Sequence, residues 1–243
     1  MSKRSSNEKK HHDNMAKETQ GACWANDSAA GQLRQNRKAD MAKRYINTDR
    51  EIKVLEIGCG NGEFSKRFVG IKAKMTCVDI SPEFIALLKK NYHGTNIDFV
   101  CADVEKLPFS DNYFDAVIGN GVLHHLNIDI AVKEIHRVLK NDGKIFFSEP
   151  NLLNPEVFLE TKVHWIGKLA QKTEDECAFT KWGIKKFFQN NGFKNVHVTP
   201  FDFLHPLTPK PLIPAVSAIT TILEAVPLIK DIAGSIKIEG EKA

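Results

Sequence analysis

The sequence predicts an α/β protein built on a mostly parallel sheet covered by helices on both faces. Three observations predict it. Strand-like and helix-like segments alternate from residue 53 to residue 148. The strand-like runs are apolar almost throughout, as strands buried on both faces must be. The first of them ends abruptly in a glycine-rich turn.

In order, residues 1–26 form a polar arm expected to be mobile, with His11 and His12 as tail residues. Asp27–Tyr45 is rich in helix formers and opens with an Asp or Ser cap. Lys53–Ile57 is a short aliphatic strand, and Gly62–Val69 is read as helix. Lys74–Ile80 is the second strand. Ser81-Pro82-Glu83 then starts a helix with a cap, proline at the first position and an early acid. Asn96–Cys101 and Phe114–Gly119 are the third and fourth strands, and Ile128–Leu139 is helical. Asn141-Asp142-Gly143 is a turn before the fifth strand, Lys144–Ser148. Lys181–Asn190 is a helix stopped by Asn191-Gly192. Asn195–Phe203 and Gly234–Glu239 are read as an antiparallel hairpin that closes the sheet.

The 243 residues suit one substantial core, and the composition is that of an ordinary globular protein. The net charge of +4 is uneven. Residues 1–50 hold 11 Lys/Arg against 6 Asp/Glu, which leaves −1 for the remainder by subtraction. This basic start is read as a solvated terminus rather than a nucleic-acid or membrane arm. Five cysteines without CxxC spacing fit a reducing, cytoplasmic setting better than a disulfide framework or zinc site, and no metal is expected. Cys77 and Cys101 lie in apolar runs, where cysteine behaves as a small buried hydrophobe. No secretory signal is visible at the N-terminus.

The chemistry concentrates where the first strand meets its turn: Glu56-Ile57-Gly58-Cys59-Gly60-Asn61-Gly62. In open α/β sheets the ligand lies beyond the carboxyl ends of the strands, and glycines let the backbone approach it. A dinucleotide fingerprint requires glycine where Glu63 stands, and a carboxylate at Glu56 disfavours a diphosphate. That charge favours a cofactor carrying ammonium and sulfonium groups. No GKS or GKT follows, which excludes a nucleoside-triphosphate loop. Asp79, ending the second strand, is placed to accept hydrogen bonds from two ribose hydroxyls. Asp103, after the third, is placed to accept an adenine amino hydrogen while the Val104 amide meets a ring nitrogen. Leu107, Pro108 and Phe109 would form an apolar rim.

Glu56–Gly62, Asp79, Cys101–Phe109 and Phe114–Leu126 together resemble the class I S-adenosylmethionine-dependent methyltransferases, in their small-molecule, type 11-like branch. The resemblance covers roughly residues 50–150. It implies a seven-stranded sheet in the order 3-2-1-4-5-7-6 with the last strand antiparallel, one catalytic domain over 27–243, and S-adenosylmethionine as cofactor. Within that domain, 27–50 is the N-terminal helix, 51–150 the cofactor core and 151–243 the acceptor side. Cofactor contacts are expected from Glu56, Gly58, Cys59, Gly60, Asn61, Gly62, Asp79, Ile80, Asp103, Val104, Asn120, Gly121 and Val122. Gly119 and Gly121 are smaller than the usual residues and are expected to enlarge the pocket.

Two groups are candidates for acid–base work. His125 is the first choice as general base, the alternative being a loop cap or packing residue. Glu149 either faces the acceptor or is a plain strand exit. Arg34 and Arg37 are read as a solvated face in preference to a clamp on the cofactor carboxylate. Residues 203–229 hold two charges, Lys210 and Glu224, and five of the ten prolines. The insert 206–229 is too short and proline-broken to span a bilayer. A lid is expected there, with a dimer surface or interfacial membrane contact as alternatives; Trp165 and its neighbours would form the opposite wall. The acceptor is then a small, hydrophobic, even lipid-like molecule and not a nucleic acid, since no aromatic NPPY-type tetrad follows the fourth strand. A nicotinamide-dependent oxidoreductase or a nucleic-acid methyltransferase would be the rival readings.

Overall fold

The computed structural model describes residues 27–163 and 178–243. The expected polar arm, His11, His12, Cys23, Trp165 and Cys177 lie outside them. The sheet has seven strands in the order β3-β2-β1-β4-β5-β7-β6. These are β1 (Lys53–Ile57), β2 (Lys74–Asp79), β3 (Ile97–Cys101), β4 (Phe114–Asn120), β5 (Leu139–Pro150), β6 (Phe193–Phe201) and β7 (Ser235–Lys242). Strands β1 to β5 pair in parallel, and β7 runs antiparallel to both β5 and β6. The order, the direction of the last strand and the closing hairpin agree with the sequence reading.

Alternation along each central strand divides the core in two. Leu55, Ile57, Val117, Ile145 and Phe147 face α3 (Ile128–Val138) and α5 (Lys181–Asn190) through Val132, Ile135, Ile184 and Phe188. Val54, Cys77, Ala116, Ile118 and Phe146 face α1 (Ala29–Ile46) and α2 (Pro82–Asn91) through Ala39, Ala42, Ile85 and Leu88. Ser28 caps α1 by accepting from the Gly31 amide at 2.9 Å, and Ser81 caps α2, with Pro82 at its first turn. Two further helices, α4 (Pro155–Lys162) and α6 (Ile213–Ala225), belong to the half beyond the fifth strand.

Three local expectations change. Gly62–Val69 is not an α-helix; only a 3-10 turn forms, over Ser65–Phe68. Gly62 and Gly70 both hold positive φ and bracket the stretch, leaving too few residues for stable helical turns. Asn141-Asp142-Gly143 is absorbed into β5 as an irregularity, with the β4–β5 register shifting between Phe114 and Ala116 and Asp142 at φ +59°. Cys101 is exposed, because it ends the edge strand β3, whereas Cys77 on β2 is fully buried as expected.

Candidate active site

At the exit of β1 the chain turns through Gly58, whose φ is +65° and whose missing side chain is required: a Cβ would stand 2.3 Å from Val122 Cγ2. The turn is fastened to β2, since the Gly60 amide donates to Asp79 Oδ2 at 2.8 Å and the Ser81 amide to Oδ1 at 2.9 Å. Asp79 therefore holds the two loops together at the cavity wall. Beyond the carboxyl ends of β1, β2, β4 and β5 opens a cavity of about 540 Å³.

Of the expected cofactor residues, Glu56, Gly58, Cys59, Gly60, Asn61, Asp79, Ile80, Asp103, Val104, Asn120, Gly121 and Val122 all line this cavity. Gly62 does not line it. A Cβ there would meet Leu88 Cδ2 at 2.5 Å, so this glycine serves the packing of α2 behind the loop. Gly119 likewise enlarges nothing, because a Cβ there would stand 2.6 Å from Val122 Cγ1 and 3.0 Å from Phe147; Gly121 is the one that faces the cavity. Asp103 combines two readings, capping its own turn through Glu105 N at 2.9 Å while it lines the wall.

The donors and acceptors suit an adenosyl amino acid. Two carboxylates, Asp79 and Asp103, stand where ribose and adenine are expected. The buried Asn120 Oδ1 has no partner among the described residues, while its Nδ2 donates to Gln35 Oε1 at 3.0 Å. An orphaned acceptor in a cavity wall calls for a donor on the ligand, and an ammonium provides one. Glu56 is almost wholly buried, and desolvation raises its pKa to about 7, with the Ser65 and Cys77 side chains pulling the other way. A cation in the cavity would restore the charge, which is a condition a diphosphate does not meet.

On the opposite wall Glu149 is buried at the end of β5. Its Oε1 accepts the amides of Val122 and Leu123 at 3.0 and 2.9 Å, and its Oε2 meets His124 Nδ1 at 2.7 Å. Glu149 is thus more than a bare strand exit: it lines the cavity, organises the loop after β4 and fixes a histidine. That histidine is His124; His125, the expected general base, lies beside it with the ring centroids 4.1 Å apart, and both line the cavity. The LHH segment does not reveal which ring meets a glutamate 25 residues later.

The arginines of α1 are not a solvated face. Arg34 Nε donates to Asp202 Oδ2 at 2.6 Å, and Arg37 Nη1 to Glu224 Oε1 at 2.7 Å with a second contact from Nη2 to Oε2. Glu224 also accepts the Asp202 amide at 2.7 Å, so α1, the end of β6 and α6 form one strapped unit. Of the insert, only its beginning, with Phe203–Pro206, lines the cavity; α6 itself leaves Ile219 and Ile222 exposed. The lid expected over 206–229 is in this respect a neck at 202–206. The described part of the opposite wall is α4, through Glu156, Val157 and Glu160. Lys38 and Ser148 line the site without having been singled out in the sequence.

A methyltransferase-domain family profile matches residues 55–147. The demethylmenaquinone methyltransferase of Chlorobaculum tepidum is 37% identical over 114 residues, 46% of this chain and 46% of that protein, so the match spans about half of either length. The enzyme of the same description from Staphylococcus aureus strain JH9 is 30% identical over 170 residues, 61% of this chain and 70% of that one. The [4+2]-cyclase SpnF shares the fold, with a TM-score of 0.61 at 18% identity over 85% of this chain and 80% of its own. Loop, strand order and relatives agree: the chain belongs to the class I S-adenosylmethionine-dependent methyltransferases.

Proposed function

We propose that the protein transfers the methyl group of S-adenosylmethionine to a small hydrophobic acceptor bound between the loop after β4, the neck at 202–206 and α4. The observation that carries this reading is the single cavity itself. It joins the acids suited to ribose and adenine, Asp79 and Asp103, to the His124–Glu149 pair on its far wall. Relatives described as demethylmenaquinone methyltransferases support an acceptor of quinol type.

When bound, the cofactor supplies a methyl carbon already activated by its sulfonium, so the protein mainly aligns and shields. Glu56 and the orphaned Asn120 Oδ1 receive the positive charges. Asp79 and the Gly60 turn fix the ribose, and Asp103 with the Val104 amide reads the adenine. On the acceptor side Glu149 accepts the Nδ1 hydrogen of His124, which leaves Nε2 as the basic atom of that ring. His124 then takes the proton from the acceptor as the new bond forms, and Glu149 acts as its positioning residue. His125 packs against this ring as part of the wall.

The test is mass spectrometry of the purified protein for co-purified adenosyl ligand. It is followed by a screen of hydroxylated, hydrophobic arenes read by release of S-adenosylhomocysteine. Release with quinols that disappears in His124→Ala and persists in His125→Ala is the expected result. A protein that does not bind the donor at millimolar concentration contradicts the reading.

A further inference from the structure

Lys38 stands one helical turn after Arg34 on α1, and both side chains line the cavity. The two differ in what holds them. Arg34 is paired with Asp202 at 2.6 Å. Among the described residues no hydrogen bond or ion pair reaches the ammonium of Lys38. Burial and the neighbouring Arg34 charge lower its pKa to about 8, and the carboxylates of Asp202 and Glu149 offset only part of that. A cation kept in a cavity wall without a counter-charge of its own is costly, and the natural remedy is an anion that arrives with a ligand.

Two anions are available in principle: the carboxylate of the cofactor and a deprotonated oxygen of the acceptor. Position decides between them. Arg34, one turn earlier on the same face of α1, is bonded to Asp202 in the neck on the acceptor side of the cavity. Lys38 therefore belongs to the half of the cavity that contains the His124–Glu149 pair.

We propose that Lys38 is an oxyanion-binding residue of the acceptor subsite, and that the acceptor is a phenol or enol held as its anion between Lys38 and His124. The inference rests on the methyltransferase reading and narrows its acceptor class. His124 Nε2 removes the hydroxyl proton, and the resulting oxyanion is held by the Lys38 ammonium. The electron pair of that oxygen, or of the ring carbon conjugated with it, forms the bond to the methyl carbon; in the second case the hydrogen of that carbon then moves as a proton to the oxygen, restoring the hydroxyl. The carbon–sulfur bond breaks with its electrons remaining on sulfur, and the proton leaves His124 for solvent. Charge balances, since sulfonium and oxyanion vanish together. Amines and thioethers, which bring no anion, would meet an uncompensated Lys38 and be disfavoured.

The experiment uses the full chain saturated with S-adenosylhomocysteine and 4-nitrophenol as probe, its ionisation followed by visible absorbance during a pH titration. In the wild type the bound probe is expected to ionise about one pH unit below the free compound, equivalent to tenfold tighter binding of phenolate than of phenol. Lys38→Met should abolish the shift, Lys38→Arg should retain most of it, and S-adenosylhomocysteine affinity should stay within about twofold in both. Folding of Lys38→Met is checked by its melting temperature, which should rise near pH 7 because a half-buried, unpaired cation is removed. The proposal is overturned if Lys38→Met binds phenolate as the wild type does, or if the wild type does not prefer phenolate. It is also overturned if Lys38→Met weakens S-adenosylhomocysteine but not 5′-methylthioadenosine, which lacks the carboxylate. A wild type that fails to bind S-adenosylhomocysteine refutes the methyltransferase reading itself.

Discussion

The two halves of the cavity are built in different ways. The cofactor half is made by main chain: turns at Gly58 and Gly60, amides bound to Asp79, and strand ends that stay close in sequence. The acceptor half is made by side chains meeting over long separations: Arg34 with Asp202, Arg37 with Glu224 and His124 with Glu149. Main-chain construction fixes one ligand tightly and tolerates little change. The acceptor half is instead held together by contacts that single substitutions can remove.

The division breaks most visibly at Glu149, an acceptor-side residue that supports two main-chain amides. Glu149→Ala strips the acceptor from two buried amides and a ring nitrogen. The expected cost is about 3 kcal/mol, a fall in melting temperature of roughly 6–12 °C by calorimetry. Glu149→Gln keeps the shape but not the charge. Turnover should fall on the order of 10²- to 10⁴-fold, with S-adenosylhomocysteine affinity almost unchanged. Loss of cofactor affinity instead would mean that the two halves are not separable.

Gly58→Ala tests the main-chain half directly. A methyl group 2.3 Å from Val122 at positive φ should abolish detectable S-adenosylhomocysteine binding and cost about 2 kcal/mol in urea unfolding. A smaller effect is expected from Glu56→Gln, and it depends on pH. Because the folded-state pKa of Glu56 is raised to about 7, the wild type is favoured below pH 4.5 and loses that advantage as pH rises through 7. The Gln variant should therefore match the wild type near pH 5 and exceed it by roughly 1–3 kcal/mol at pH 8. Wild-type affinity for S-adenosylmethionine should tighten between pH 6 and 8 as the carboxylate ionises, and that of the variant should not. The smallest change is at Glu224→Gln, which weakens the strap between α1 and α6. With Arg37 partly exposed, the cost is about 0.5–1 kcal/mol, and its effect on acceptor KM should exceed its effect on cofactor Kd.

The same division governs what could be read from the sequence. The strand order, the β1 turn and twelve of thirteen cofactor positions line up with the cavity, because their demands are local: a strand, then glycines, then an acid at the next strand end. Gly62 reads as a cofactor contact and Gly119 as pocket-enlarging because spacing does not tell whether a missing Cβ makes room for a ligand or for Leu88, Val122 and Phe147. Arg34 and Arg37, three apart on a polar helix, look like a solvated face until Asp202 and Glu224 are brought to them from 168 and 187 residues away. His124 does not stand out from His125 for the same reason: its partner Glu149 lies 25 residues on, at the end of another strand, and no local pattern encodes that meeting.

The central claim is that this cavity accepts a cationic adenosyl amino acid and rejects a diphosphate. Titration calorimetry with S-adenosylhomocysteine and NADH, on the wild type and on Asp79→Ala, tests it most directly. The account predicts one S-adenosylhomocysteine per chain, binding weakened at least tenfold by Asp79→Ala, and no heat from NADH. Saturable NADH binding that depends on Asp79, with none of the adenosyl amino acid, would contradict it.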